Sequence, residues 1–405
     1  MHVQPSCGHS AVLYVSYDGM LEPLGQSQVL AYQERLAVDR EIHLLSFEKA
    51  TDWRDGRALS TMRQRLRDAG IRWHPRRYHK RPSALATAYD IAVGTLSAAW
   101  ICLRYRIGIV HARSYVAAAM SLPVRALTGA RFVFDMRGFW ADERVDGGLW
   151  PAGGRLYRAA KWLERRALLG ADHVVSLTQA GVRELRKFDY LRDRMPAISV
   201  ISTCADLDRF RPGSAKGPGF ILGYVGSAGT WYLFDALVEC FAQLRILRPE
   251  ARLLVVNRGE HAFIRERLAA AGIPVDALEL RAATHAEVPE LMTKMHATAF
   301  FIKPVFSKQA SAPTKLAEFL GCGVPCLVNA GVGDMQEIVE SEGVGIAVEA
   351  MDAASLHNGL LRLLELVADE NIAARCVHAA QRRFSLERGV AEYRAIYERL
   401  DGTAT

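Results

Sequence analysis

The chain has 405 residues, half of them hydrophobic and 23% charged, with a mean hydropathy of +0.02. That composition builds a large core, most simply in two domains, and excludes a disordered or fibrous chain. A formal charge of +7 and a pI near 9.1 point to an anionic partner: a nucleotide, an anionic membrane surface or, from charge alone, nucleic acid.

Residues 11–17 (AVLYVSY) form a continuous apolar run, the pattern of a buried parallel strand. The loop after it turns into a helix and carries Gly19, Gly25 and Gln26 at the carboxyl edge of an α/β sheet, where ligands bind. The spacing is not GxGxxG, and a plain turn explains these glycines as well as a ligand loop does. Residues 41–49 read as a second strand and 55–70 as a helix. Arg76, Arg77, His79, Lys80 and Arg81 then form a basic cluster ahead of an apolar helix from about 83 to 103. That helix is long enough for a membrane span, but Asp90, Gly94 and many small residues dilute it, as in a helix packed on a sheet. For the basic cluster two readings stand, an edge resting on anionic lipid and a solvated surface.

A strand within 107–115 ends in His111, Arg113 and Ser114, and one within 131–148 ends in Asp135, Arg137, Trp140, Asp142 and Glu143. Charged residues at two neighbouring strand ends are better explained by a site than by packing. Helices at 151–169 and 178–188 flank a strand at 172–177, and a Pro/Gly/Ser-rich linker closes the stretch 198–219. From 220 the pattern restarts as strand, Gly-rich turn and helix. Gly226, Ser227 and Gly229 permit the close backbone approach that a phosphate loop needs, although a βα turn has the same composition. Strands are expected at 253–257, 278–280, 297–302 and 345–348, and helices at 285–295, 352–368, 369–383 and 387–400. Arg258 and Lys303 follow two of these strands as candidate phosphate-neutralising cations. The cysteines at 7, 102, 204, 240, 322, 326 and 376 have no metal-ligand spacing and read as buried thiols of a reducing compartment. The N-terminal MHVQPSCGHS lacks a signal pattern, so a cytoplasmic location is expected.

The most informative stretch is 303–339, KPVFSKQASAPTKLAEFLGCGVPCLVNAGVGDMQEIV. Pro313 suits a first helical turn, Ser311 is a plausible cap, and a helix opening this way offers N–H groups and a positive dipole end to a diphosphate. Thr314 stands at that opening, Lys315 could add a mobile cation, and Glu318 one turn on could accept from a sugar or ribose hydroxyl. Gly321-Cys322-Gly323 ends the helix, and Pro325–Val328 reads as a buried strand running into Gly331 and Gly333.

This stretch resembles the donor-binding segment of family-4 retaining glycosyltransferases of the GT-B fold, whose Ser-Pro-x-Lys-Leu-x-Glu-Tyr-Leu-Ala-x-Gly-x-Pro pattern appears here from Ser311 to Pro325. The resemblance implies an α/β GT-B architecture: two Rossmann-like doubly wound domains facing an interdomain cleft, with a C-terminal helix crossing back. The expected division is 1–205 with about 388–405 returning, a linker at 206–219, and 220–387. Asp206, Phe210 and Pro212 match the family's hinge, while Thr203-Cys204-Ala205 replaces its Pro-x-Gly portion. HARSY and DMRGFWADE resemble bacterial surface-polysaccharide members, which implies that His111, Arg113 and Arg137 face the sugar or acceptor and that Asp142 or Glu143 meets acceptor hydroxyls. The implied donor set is Gly25, Gly226, Ser227, Gly229, Arg258, Lys303, Ser311, Thr314, Lys315 and Glu318. One departure stands out: the first of the family's two glutamates falls on Ala310, leaving its sugar contact to backbone, Ser307 or Lys308.

The expected activity is therefore retaining transfer from a nucleotide-diphosphate sugar to a hydroxyl of a glycan or lipid-linked glycan in surface-polysaccharide synthesis. Helix N-termini and basic side chains can neutralise the departing diphosphate, and no Asp-x-Asp pair stands at a suitable strand end, so neither metal nor further cofactor is expected. Peripheral attachment at the inner face of the plasma membrane fits the basic cluster. Two rivals share the fold, a nucleotide-sugar epimerase and an inactive partner subunit. Nucleic acid is not an expected partner, because basic and aromatic residues do not interleave on a recognition helix.

Overall fold

Short aliphatic and β-branched runs alternate with amphipathic helices along the chain, and in the computed structural model nearly every such run is a parallel strand. The structure describes residues 9–213, 216–284 and 286–402; Cys7 and the start of the N-terminal stretch, and His285, lie outside them. Two α/β units result. The first takes the chain up to Ile201 and again from Leu386, and the second is Ser202–Ser385.

The first unit holds β1 (Val12–Ser16), β2 (Ile42–Glu48), β3 (Ile71–Arg77), β4 (Ile109–Arg113), β5 (Arg131–Asp135), β6 (His173–Ser176) and β7 (Ile198–Val200), in the order β3-β2-β1-β4-β5-β6-β7. β1 and β2 are buried along their whole length, as expected of strands covered on both faces. The two edge strands are the ones that the sequence pattern hides. β3 mixes basic residues with Pro75, which an edge strand tolerates because it pairs on one side only. β7 has three residues and precedes the linker expected at 206–219, in a stretch where no strand was expected.

Three helices of this unit, Ser83–Tyr105, Ser114–Thr128 and Arg155–Gly170, pack side by side in one layer. The first is the one described helix long and apolar enough to cross a membrane, yet its inner face is committed to the domain. Ala86, Asp90, Gly94, Ala98 and Ile101 are buried, and a side chain at Gly94 would meet Met120 Sδ at 2.4 Å. The Asp90 carboxylate accepts from the Tyr17 hydroxyl (2.8 Å) and from the His79 backbone N–H (3.0 Å), and it faces His79 Nδ1 at 2.6 Å. On the opposite side of the chain's order, the final helix Leu386–Gly402 returns to pack on Ala31–Leu36.

The second unit holds β8 (Ile221–Val225), β9 (Arg252–Val256), β10 (Leu278–Arg281), β11 (Ala297–Ala299), β12 (Cys326–Asn329) and β13 (Gly345–Val348), ordered β10-β9-β8-β11-β12-β13. β11 is shorter than the apolar run 297–302, because Ile302 instead bridges Tyr232. The helix expected at 285–295 spans Val288–Thr293. Ala205, at the entry of this unit, pairs with Phe384 and Ser385 at its exit, and Phe210 is buried with its carbonyl 2.6 Å from where a Gly321 Cβ would stand. Gly321 therefore lets the hinge segment close on the helix Thr314–Gly321. The six described cysteines are buried free thiols.

Both sheets reverse direction once, between β1 and β4 in the first unit and between β8 and β11 in the second. Loops leaving the carboxyl ends of strands at such a reversal splay apart and open a crevice. Those are the two places to look for chemistry.

Candidate active site

At the reversal in the first unit, β4 and β5 are followed within two residues by left-handed backbone, at Ser114 (φ 70°) and Arg137 (φ 59°). Non-glycine residues resist that conformation, and such strain concentrates at functional sites. Beneath them lies a buried polar network. Asp135 accepts a hydrogen bond from the Tyr393 hydroxyl (2.9 Å), and Arg137 approaches the same carboxylate at 3.8 Å. His111 Nδ1 lies 2.6 Å from the Tyr397 hydroxyl, while its Nε2 faces Asp135 at 3.8 Å. Burial holds the imidazole below its ordinary pKa, so it is neutral, and a proton on Nε2 lets Nδ1 accept from Tyr397. Burial works against the Asp135 charge, but the Arg137 guanidinium and His111 keep its carboxyl below the ordinary range.

This geometry corrects three sequence expectations. His111, expected to face the sugar or acceptor, is wholly buried and ties the sheet to the final helix. Asp142 is turned away into the helix Arg155–Gly170, accepting from the Tyr157 hydroxyl (2.9 Å) and the Lys161 ammonium (3.0 Å). Lys161 also pairs with buried Glu164, which accepts from Tyr115. Asp142 thus serves structure, and Glu143 lies half-buried on the same short helix, Trp140–Asp146. Gly25 sits inside a helical segment, where a Cβ would stand 2.0 Å from the Gly19 carbonyl oxygen. Its smallness is spent on packing. Arg113 and Arg137 remain at the strand ends; Arg113 pairs through one Nη with Asp18, and its buried Nε has no partner.

In the second unit the loop after β8 contains Gly226 (φ 116°) and Thr230 (φ 57°). Its amides are not vacant. The Glu260 carboxylate accepts from the Ser227 hydroxyl (2.9 Å), the Ala228 and Gly229 N–H groups (2.8 and 2.9 Å) and the Asn257 side chain (2.8 Å). Burial opposes its charge, but these donors, led by Ala228 N–H, hold the carboxyl below its ordinary range. Glu260 therefore occupies the nest that the glycines suggested for phosphate, which is a correction for Ser227 and Gly229.

Gly226 has a different neighbour. A Cβ there would stand 3.0 Å from Lys315 Nζ, which comes up beneath the loop from the second position of the helix Thr314–Gly321. The Lys315 ammonium is buried, lies 3.8 Å from the Tyr232 ring centre, 4.8 Å from Tyr224 and 5.4 Å from Phe300, and has no hydrogen-bond partner. Burial lowers its pKa from 10.5 to about 7, with Glu318 opposing. Burial raises that of Glu318 from 4.5 to about 7, with Lys315 and Arg209 opposing. Aromatic faces attract the cation, yet they do not replace lost hydration. Lys315 is caged, not mobile as the sequence suggested.

The helix start also differs in detail. Pro313 is its N-cap and no side chain caps it; Ser311 ends the preceding turn, Phe306–Ala310, and so is not the cap. The first-turn N–H groups thus keep the direction that suits an anion. Lys303 is exposed and lines a cavity of about 610 Å³ with Gly229, Tyr232, Phe263, Arg267 and Met351. Arg258 is exposed and directs Nε to the Ala283 carbonyl (3.4 Å). Ala310 is fully buried, so the side chain at the departed glutamate position is closed to solvent. Lys308 stacks 3.8 Å from the Trp231 ring centre, and the Lys308 carbonyl accepts from Gly333 N–H at 2.9 Å. Among the described residues no three His, Cys, Asp or Glu gather in a metal-holding cluster.

Two family models match in tandem, the glycosyl transferase 4-like domain over residues 26–200 and glycosyl transferases group 1 over 206–383. The chain belongs to the GT-B, family-4-like glycosyltransferases. Solved structures agree on the fold. Sucrose-phosphate synthase from Thermosynechococcus elongatus has a TM-score of 0.72 at 15% identity, covering 98% of this chain and 100% of its own. Anabaena HepE, in complex with UDP and glucose, has 0.66 at 16%, covering 96% and 100%. The lipopolysaccharide outer core galactosyltransferase WaaB has 0.63 at 12%, covering 96% and 99%. No curated protein matches the chain. In this glycosyltransferase the family motif's Lys and Glu are the caged Lys315 and half-buried Glu318. Sequence reasoning missed Glu260, Tyr232 and the Tyr393/Tyr397 pair. The tyrosines' four-residue spacing marks one helix face, but nothing local names Asp135 and His111 as their partners.

Proposed function

We propose that the protein transfers a sugar, with retention, from a nucleotide-diphosphate sugar to a hydroxyl of a glycan or lipid-linked glycan made for the cell surface, at the inner face of the plasma membrane. The observation that carries this reading is Lys315, a buried ammonium without a hydrogen-bond partner, next to Gly226 and at an uncapped helix start. A diphosphate would supply the missing acceptor, and its departure as the leaving group would be eased by that cation and the helix dipole without a divalent ion. Glu318, one turn along, suits a ribose or sugar hydroxyl. Thr314 stands at the helix opening and Lys303 on the adjacent cavity wall, so both belong to the proposed donor grip. Arg113 and Arg137, at strained strand ends, are proposed to face the transferred sugar or acceptor. HepE, crystallised with UDP and glucose, is a relative whose ligands fit the same chemistry.

Buried Ala310 favours a second reading, a partner subunit that keeps the fold without turnover. Calorimetry against UDP, GDP and their sugar conjugates separates the two. Micromolar binding of one nucleotide, lost in Lys315→Ala, supports the donor site and names the base. Absence of binding to all of them refutes the transferase reading and leaves the subunit.

A further inference from the structure

The helix Ser83–Tyr105 has an outward face as unusual as its inward one. Leu85, Tyr89, Leu96, Trp100 and Leu103 are each more than half exposed, at the spacing of one helical stripe. The other exposed positions between 83 and 103 are Ser83 at the start, then Ala84, Ala88 and Ala92; no charged side chain interrupts the stripe. The helix of 23 residues is roughly 35 Å long at the helical rise, and the stripe from Leu85 to Leu103 takes about 27 Å of it. Water-facing helices normally carry charge on such a face, and a continuous exposed apolar patch marks a contact surface. The neighbouring helices of the same layer add exposed Leu127 and Trp162.

The ends of the stripe carry one sign of charge. Segment 71–106 has seven Lys or Arg (72, 76, 77, 80, 81, 104 and 106) against a single acid, Asp90, which is buried and paired. Arg72 pairs with Glu41 and Arg76 with the Ser97 hydroxyl, leaving Arg77, Lys80 and Arg81 exposed at one end and Arg104 and Arg106 at the other. We infer that this face is a docking surface for an anionic lipid bilayer, with the helix lying flat in the headgroup region and its basic ends on lipid phosphates. Two features select a bilayer over a protein partner. Within 71–106 the rim is basic at both ends, its one acid, Asp90, is buried, and the neighbouring Glu41 is already paired with Arg72; five exposed cations are left over, which suits an anionic plane better than a self-complementary copy. Tyr89 and Trp100 are the amphipathic aromatics that favour the interface. The committed inner face excludes crossing, because a spanning helix would have to abandon the Asp90 hydrogen bonds. The inference deepens the lipid-linked acceptor reading and rests on it for its purpose, while its physics needs no catalysis.

The test is sedimentation of the full chain with phosphatidylcholine vesicles, with and without phosphatidylglycerol, at low and high salt. Wild type should bind the anionic vesicles and lose binding as salt rises. Leu96→Glu with Trp100→Glu should lower the partition coefficient at least about tenfold. Lys80→Ala and Arg81→Ala should each lower it about fivefold on anionic vesicles alone. Quenching of tryptophan emission by brominated lipid should fall in Trp100→Phe, a variant that keeps the fold's shape. Failure of wild type to bind, or binding indifferent to Leu96 and Trp100, overturns the inference. So does a concentration-dependent dimer broken by Trp100→Glu, which would assign the face to a second copy. Nucleotide binding measured on the same samples is independent: its absence with vesicle binding intact sinks the transferase reading alone.

Discussion

Replacing Lys315 by Met keeps an unbranched apolar stem among Tyr224, Tyr232 and Phe300 and removes the buried ammonium. A pKa lowered from 10.5 to about 7 means that folding strips protons from this lysine between those values. The unfolded chain then binds more protons, so stability rises with pH from about 7 to 10.5, and below 7 the whole penalty, of order 5 kcal/mol, is present. The Met variant should therefore be more stable than wild type, and its advantage should shrink by about 2 kcal/mol between about pH 6.5 and 8.5. Glu318 titrates with Lys315 as a pair, its raised pKa working in the opposite sense from 4.5 to about 7, which keeps the comparison cleanest on the alkaline side. Urea denaturation at the two pH values reads the effect. A diphosphate should restore the charge, so wild type above neutral pH takes up a proton on binding a nucleotide, visible as a dependence of calorimetric heat on buffer ionisation enthalpy. The Met variant should lose that dependence and about 1.5–3 kcal/mol of affinity. An equal stability difference at both pH values would refute the caged, partly neutral lysine; undiminished affinity would remove Lys315 from the site.

Three further substitutions test neighbouring parts of the argument. Glu318→Gln should weaken nucleotide-sugar binding by about 1.5–3 kcal/mol in calorimetry while leaving the helix intact; equal affinity would mean that its carboxylate touches no donor. Glu260→Ala frees the Ser227–Gly229 donors and should lower unfolding free energy by about 1.5–3 kcal/mol near neutral pH, with the difference fading as acid protonates the carboxylate whose pKa is depressed. A stability unchanged by this substitution would show that water serves the loop equally well. Gly25→Ala should lower Tm through overpacking against the Gly19 carbonyl, about 1–3 kcal/mol, without changing nucleotide affinity. Loss of affinity at unchanged Tm would return Gly25 to the ligand loop.

Much of the architecture was legible in the chain because its causes are local. The continuous apolar run at 11–17 reads as a strand covered on both faces, 41–49 reads as the next strand, and the helix–turn–strand motif from 311 to 325 carried the family with it. The hidden strands, β3 and β7, are edges, where one-sided pairing relaxes the pattern that makes a strand readable. The residue types of the site were legible too, but their duties were not. His111 and Asp142 look like reactive groups at strand ends, and only tertiary structure brought Tyr397 and Asp135 to one and Tyr157 and Lys161 to the other. Ser227 and Gly229 form a phosphate-like loop whose anion is Glu260, about thirty residues away along the chain. Lys315 is a motif residue by sequence and a caged, poised cation by burial. Strand periodicity and turn chemistry act over a few residues, so the sequence alone determined fold and family. Burial and the pairing of charges depend on chain segments far apart, so the tertiary structure decided which polar side chains hold the fold and which are left for a substrate.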